Sequence, residues 1–439
     1  MVIILSIIIL LGCLILGLCV PAAFGASFTA IALLDGQSLA SLIPTGYNKI
    51  NTVVLLAIPL FILAGGLIER GKLGKALTDF VEIFVGKLPG GLGVVAVVAS
   101  AVFGAISGSA AATLACIGGI MYPKMEAAGY DRGFAASLCA NASPLGLLIP
   151  PSAIQIMYAW VTGQSVLACF LATIVPGIIL MTLLSAVNIY HCKHDEAYKA
   201  AQIRRMEEAI ANQDENLTMG ARIKSAIPAL MFPVIVLGGI YSGIMTPTEA
   251  AAVAVIYAIP VGFFVYKGLT LEKCKDAFKD AGITAAAVMF MMFMVMILAR
   301  LYTLLNLPNK MVEVMMGISD NKYVILLLVN IFMIIIGMLM DDNSGTLLCG
   351  PILLPVVMAY GVSPVHFAAI LGVNLGLGTI TPPAAPLLYL GARTTKVPVK
   401  NMLIPSLKMI VFAWIPTLIL TTYIPELSLF IPRLCGFNV

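Results

Sequence analysis

The chain has 439 residues, 61% of them hydrophobic and only 10% charged, against roughly 25% charged in a typical soluble protein. Twenty-one acids and 25 bases cannot clothe a soluble surface of this size, which excludes an ordinary soluble enzyme. The net charge of +4 is small and dispersed and gives no reason to invoke nucleic acid.

Apolar stretches near the roughly 20 residues needed to cross a bilayer recur from end to end. In chain order they fit 1–20, 22–34 (running on toward Ala40), 52–68, 134–162 and 166–190. The first twenty residues lack a basic n-region and read as a retained helix rather than a cleaved signal peptide. After a polar, mixed-charge segment at 191–224, further crossings fit 226–245, 249–266, 281–299, 367–391 and 402–424. Two apolar stretches differ from these. Residues 93–122 and 324–359 each carry a small polar break, Ser107-Gly108-Ser109 in one and Asp341 to Gly345 in the other. Each reads as a re-entrant helical hairpin, whose non-helical tip survives at membrane depth only in protein or beside a wet cavity. The basic, partly amphipathic segments 69–92 and 267–280 read as equivalent interfacial arms in the two halves. Nine scattered cysteines without a CxxC pair, beside three histidines, read as apolar packing residues.

Cytoplasmic loops of membrane proteins carry the excess of Lys and Arg. With the N-terminus outside, segments 69–92, 123–133, 191–224, 267–280 and 392–401 are inside and hold 19 Lys/Arg, against five outside. Five crossings and one hairpin precede 191–224, and the same set follows it. An odd number of crossings inverts the second half, giving an all-α protein of two inverted repeats, 1–190 and 225–439. At a constant offset of 232, Gly118, Pro123, Gly129, Gly146, Pro150 and Pro151 fall on Gly350, Pro355, Gly361, Gly378, Pro382 and Pro383. Inverted repeats with broken helices are a signature of secondary transporters.

Four places concentrate polar groups at membrane depth: Ser107-Gly108-Ser109 with Thr113; Asn141 to Gly146, through Ser143 and on to Pro150-Pro151-Ser152; Asp341 to Thr346; and Asn374 to Pro383. Broken helices free carbonyls, which suit Na⁺, and N-termini, whose amides suit an anion. The sodium candidates are Ser107, Gly108, Ser109, Asn141, Ser143, Gly146, Asp341, Asn343, Ser344, Gly378, Thr379 and Thr381. The substrate candidates are Ser152, Asn374, Pro150 and Pro383. Against each lone hydroxyl stands the plainer reading of a bond back to its own helix. Proton coupling would use intramembrane acids or histidine. Only Asp341 and Asp342 qualify, and His366 falls at an expected water-facing turn, so the clusters favour sodium. No Ser-His-Asp set, paired glycosidase-like acids or P-loop is present, which indicates neither an enzyme nor an ATP-driven pump, and no cofactor.

Ile244-Met-Thr-Pro-Thr-Glu-Ala-Ala-Ala252 resembles the central signature of the large membrane subunit of TRAP transporters, the DctM-like family. Ile58 to Gly65, Leu88 to Leu92, Ser107 to Ser109, Ile149 to Ser152, Gly337 to Asp341, Pro351 to Pro355 and Thr381 to Pro383 are similar to it too. The departure lies at Ala384 to Tyr389, where the family has a Val-Gly type continuation. The resemblance implies a sodium-driven importer of organic acids (a dicarboxylate, sugar acid, sialic acid or keto acid) in a bacterial inner membrane. It implies an elevator-like transport domain carrying both hairpins, with sodium and substrate regions at the tips and broken helices. It also implies two partners: a small four-helix Q-type membrane subunit, read as not fused at the N-terminus, and a soluble periplasmic P-type binding protein. The alternatives are a stand-alone ion-coupled anion transporter or exchanger, and a non-transporting membrane scaffold.

Overall fold

The structure is a computed structural model that describes residues 2–36, 38–86, 88–201 and 219–439, the side chains of Leu39 and 219–223 excepted. The central part of the expected 191–224 loop, at 202–218, lies outside the described residues. Every regular element among the described residues is helical.

Eight of these helices are long and apolar enough to cross a membrane, and a ninth span is a bent pair, Arg132–Leu148 with Ala153–Thr162, broken by 41°. Their outward faces carry large exposed side chains such as Phe264, Leu33, Ile256 and Phe412. So much apolar surface is untenable in water and suits lipid tails. The chain is a multi-pass membrane protein.

Local sequence sets where the helices begin. Asp131 accepts the Phe134 amide at 2.8 Å, and Ser165 and Thr270 cap the helices Val166–His194 and Leu271–Leu304. The signature Thr246-Pro-Thr-Glu249 is a capping box: Thr246 Oγ1 accepts the Glu249 amide while Glu249 takes the Thr246 amide at 2.8 Å. Each such cap is worth about 0.5–2 kcal/mol.

Both polar-tipped stretches form helix–break–helix hairpins. The first has legs Gly91–Ser107 and Ala110–Ala127, turning at Gly108 and passing through a π-bulge at Leu114–Gly118. The second has legs Lys322–Leu339 and Asp342–Ala359.

The helices gather into two groups. In one, Leu271–Leu304 packs on Val20–Leu34, Leu39–Ile50 and Ala57–Arg70, and Ala57–Arg70 packs on Pro247–Pro260. In the other, Val166–His194 and Pro364–Ile380 pack on each other and on the first legs of the hairpins. The amphipathic helix Leu73–Val85 bridges the groups, touching both Met219–Tyr241 and Gly91–Ser107. Lys124 fastens it to the first hairpin by donating to Asp79 at 3.0 Å and Glu82 at 3.1 Å. Burial opposes the Lys124 charge, but its bonds to the two carboxylates outweigh it and raise the pKa above the ordinary lysine value.

Four expectations need correction. Residues 39–50, read as part of an outer connection, form a helix. Segment 267–280 is no separate arm, because Thr270 starts a helix that runs unbroken to Leu304; its sequence has no Gly-Pro break to stop it. The 41° bend in 134–162 falls at Ile149–Ser152, after a shorter interruption at Ser143-Pro144 within the expected Asn141–Gly146 stretch; in 367–391 the break follows Ile380, so Asn374 sits within a helix and Asn141 in the last turn of one. His366 is buried, not water-facing. Ser363 caps the helix one turn earlier than expected, and the ring nitrogen Nε2 meets the Thr421 carbonyl at 2.7 Å.

Candidate functional site

Between the two hairpin tips lies a cavity of about 310 Å³. Ser107, Gly108 and Ser109 line it from the first hairpin, Asp342 and Asn343 from the second, and Ala153 from just beyond the Pro150-Pro151-Ser152 break. The far wall is Gly66, Glu69 and Arg70 of one helix and Ala277, Asp280, Ala281 and Thr284 of another. Arg70 donates to Asp280 at 2.5 Å across the mouth.

The first tip is built by close backbone approach. Gly108 has φ +61°, and a Cβ there would stand 2.8 Å from the Pro151 carbonyl oxygen, so only glycine fits without displacing the break. The Ala153 amide donates to the Gly108 carbonyl at 3.4 Å, joining tip and break. Ser109 caps the second leg through the Ala112 amide, and the Thr113 hydroxyl donates to the Ser109 carbonyl at 2.8 Å. Gly146 lies against Ser109 and Thr113.

The second tip is held by Asp341, which caps its own helix by accepting the Asn343 and Ser344 amides at 3.2 and 3.4 Å. Ser344 Oγ also donates to Asp341 and lies 2.6 Å from Met291 Sδ. Its hydroxyl is thus occupied. Asp342, one residue on, is the acid that faces the cavity.

The remaining candidates are not in the cavity wall. The hydroxyls of Ser143, Thr379 and Thr381 bond back to Ala140, Gly376 and Leu377 of their own helices. Gly378 serves packing, lying on Gly337 of the second hairpin. Asn141 donates to Ser137 and Ser406, and Asn374 to Asn330 and Ile370. Pro150 and Ser152 are buried behind the first tip, whereas Pro383 is exposed.

Hard oxygens without a partner remain in this region. Asn141 Oδ1, Ser152 Oγ and Asn374 Oδ1 are buried and accept or donate no hydrogen bond among the described residues. A buried orphan oxygen costs about 1–3 kcal/mol, and a hard cation would relieve that cost. No group of three or more His, Cys, Asp or Glu among the described residues could hold a metal ion. Amide and hydroxyl oxygens of this kind are hard donors.

Sequence reading missed Glu69, Arg70 and Asp280, which looked like parts of interfacial arms, and Thr284, which fell within the expected crossing 281–299. The three ionic residues gave a signal, as charges adjoining apolar crossings, but only the packing of Ala57–Arg70 on Leu271–Leu304 shows that all four face one cavity.

On the expectation of sodium coupling, Ser109→Leu should crowd the cavity and weaken the sodium dependence of uptake several-fold, with assembly intact. Thr379→Val should change it little, since that hydroxyl is spent on Gly376. Equal sodium responses in wild type and Ser109→Leu would remove Ser109 from the ion path.

Residues 7–427 match the family model of the tripartite ATP-independent periplasmic transporter, DctM component. The chain is 34% identical to a C4-dicarboxylate TRAP transporter large permease protein of Pseudomonas aeruginosa, covering 93% of each. It is 33% identical to a sialic acid TRAP transporter large permease protein of Vibrio cholerae, covering 94% of this chain and 95% of that one. The YdaH transporter structure from Alcanivorax borkumensis is similar in fold, with TM-score 0.62 at 16% identity over 89% of each chain.

Proposed function

The chain belongs to the DctM component family of tripartite ATP-independent periplasmic transporters, and from that membership we propose that it is the large permease of a sodium-coupled importer of small organic acids. The observation that carries this reading is the cavity between the two hairpin tips. It combines two helix N-termini, at Ser109 and Asp341, with the Asp342 carboxylate. Amides at helix N-termini suit a carboxylate, and carboxylate, hydroxyl and carbonyl oxygens suit Na⁺. The working partners in this reading are a small membrane subunit and a periplasmic binding protein, and the location is the bacterial inner membrane. The relatives carry dicarboxylate and sialic acid names, which supports a carboxylate without choosing one.

The mechanism we infer is alternating access by two inverted repeats, with the hairpin-bearing group sliding against the other as an elevator. Helix positions support it. Adding 232 to Ala57–Arg70, Leu73–Val85 and Gly91–Ser107 gives 289–302, 305–317 and 323–339. These match the C-terminal half of Leu271–Leu304, then Leu307–Ile318 and Lys322–Leu339. The counterpart of the arm Leu73–Val85 is thus Leu307–Ile318, which packs on the second hairpin. Both arms then join a sliding group to a fixed one.

Uptake into proteoliposomes tests the function. Flux that needs an inward sodium gradient, the small subunit and the binding protein is the expected result; flux without the binding protein would favour a stand-alone exchanger. Sidedness tests the mechanism. In a cysteine-free background, Lys72→Cys and Arg132→Cys should react with an impermeant thiol reagent only from the cytoplasm. Lys322→Cys and Ser363→Cys should react only from the periplasm. Opposite labelling across either hairpin would make it a crossing and end the inverted repeat.

A further inference from the structure

A second cavity, of about 640 Å³, is lined by Thr45, Asn48, Lys49, Thr52, Trp160, Met296, Arg300 and Thr303, among others. The helix Leu271–Leu304 lines both cavities. Asp280 is at the mouth of the first, and Arg300 lines the second, 20 residues further along. At 1.5 Å per residue that is about 30 Å, the thickness of a bilayer core. The two cavities therefore open toward opposite ends of this helix.

The internal offset relates them. Adding 232 to Thr45, Asn48, Lys49 and Thr52 gives Ala277, Asp280, Ala281 and Thr284, and all four of these line the first cavity. The two are equivalent mouths on a common plan, but their charges differ. The first holds three carboxylates, Glu69, Asp280 and Asp342, against one guanidinium, and that guanidinium is tied to Asp280. The second holds Lys49 and Arg300, both exposed, with no acid in its lining and Asn48 where the other has Asp280. Neither Lys49 nor Arg300 joins an ion pair among the described residues.

We propose that the Lys49–Arg300 cavity is an anion-binding vestibule, in which a small carboxylate is captured before it reaches the hairpin tips. The Asn48 side-chain amide lines the same recess, the Thr45 and Thr303 hydroxyls being spent on the Ser41 and Ala299 carbonyls of their own helices, and a low-dielectric recess focuses the field of the two cations on an incoming anion. The direction, in by the cationic mouth and out by the acidic one, rests on the importer reading above.

Trp160 makes the vestibule observable. It lines the cavity and is partly exposed, whereas Trp414, the second of two tryptophans, is fully buried. In purified full-length protein in zwitterionic detergent at low salt, iodide should quench Trp160 about threefold more than in the Lys49→Gln/Arg300→Gln variant. Quenching by neutral acrylamide should be the same in both, which shows the variant is folded. Succinate and gluconate should protect the wild type from iodide at millimolar concentration and the variant not at all. In proteoliposomes, the variant should raise the KM for uptake several-fold and leave the maximal rate nearly unchanged. Iodide quenching that is identical in wild type and variant would overturn the vestibule, whatever the uptake shows. Normal iodide discrimination with no uptake under any gradient would leave the vestibule standing and overturn the importer reading.

Discussion

Asp342→Asn should lower sodium-driven uptake roughly tenfold, equivalent to about 1.4 kcal/mol of lost ion or transition-state binding, while Asp341→Asn lowers it far less. The two neighbouring acids do different work. Asp341 is turned into the first turn of its own helix, where it accepts two amides and the Ser344 hydroxyl. Asparagine caps a helix about as well as aspartate, so the Asp341 substitution should leave the hairpin formed. Asp342 lines the cavity opposite Ser107–Ser109, and its neutralisation removes the one tip carboxylate available to a cation there. The measurement is the sodium concentration giving half-maximal uptake in proteoliposomes, with co-purification of the small subunit reporting assembly. If Asp342→Asn keeps the wild-type sodium response, the acid is structural and sodium is held elsewhere. If Asp341→Asn proves the more damaging, the cap itself is part of the ion site.

Gly378→Ala should be strongly destabilising. A Cβ on Gly378 would stand 2.6 Å from the Gly337 Cα and 2.7 Å from its carbonyl carbon. These are backbone atoms, so relief requires moving the first leg of the second hairpin away from Pro364–Ile380. Overpacking of this kind costs about 1–3 kcal/mol, and here it also shifts the tip that carries Asp342. Thermal unfolding should show a lowered midpoint, and uptake should fall with it. Gly282→Ala is the control. A Cβ at Gly282 meets nothing within 4 Å, so alanine in that helix should be neutral or slightly stabilising. Equal midpoints for Gly378→Ala and Gly282→Ala would mean that Pro364–Ile380 and the first leg of the second hairpin are not in contact.

Composition and period alone determined the class of this protein, because a bilayer leaves few choices. Backbone groups in lipid must be satisfied within a helix, so apolar runs of fixed length had to be helices, and polar breaks within such runs had to be tips. Both polar helix breaks and the Pro150-Pro151 and Pro382-Pro383 breaks were legible on that basis, and the family was legible from its motifs, Ile244 to Ala252 first among them. Helix ends were less legible where Gly or Pro is accommodated inside a helix: Leu271–Leu304 runs through Gly282, and Leu39–Ile50 forms against it through Pro44 and Gly46. The side-chain roles were decided by tertiary structure. A hydroxyl such as Thr379 looks identical in sequence whether it faces an ion or its own carbonyl, and only the orientation of its helix shows that it bonds to Gly376. Asp341 and Asp342 likewise look alike in sequence, and only the start of the helix at Asp342 makes one the extended cap and the other part of the cavity wall. The two cavities were decided at the same level, since Lys49, Arg300, Glu69, Arg70 and Asp280 are far apart in the chain and meet only when Ala57–Arg70 and Leu39–Ile50 pack on the two ends of one helix.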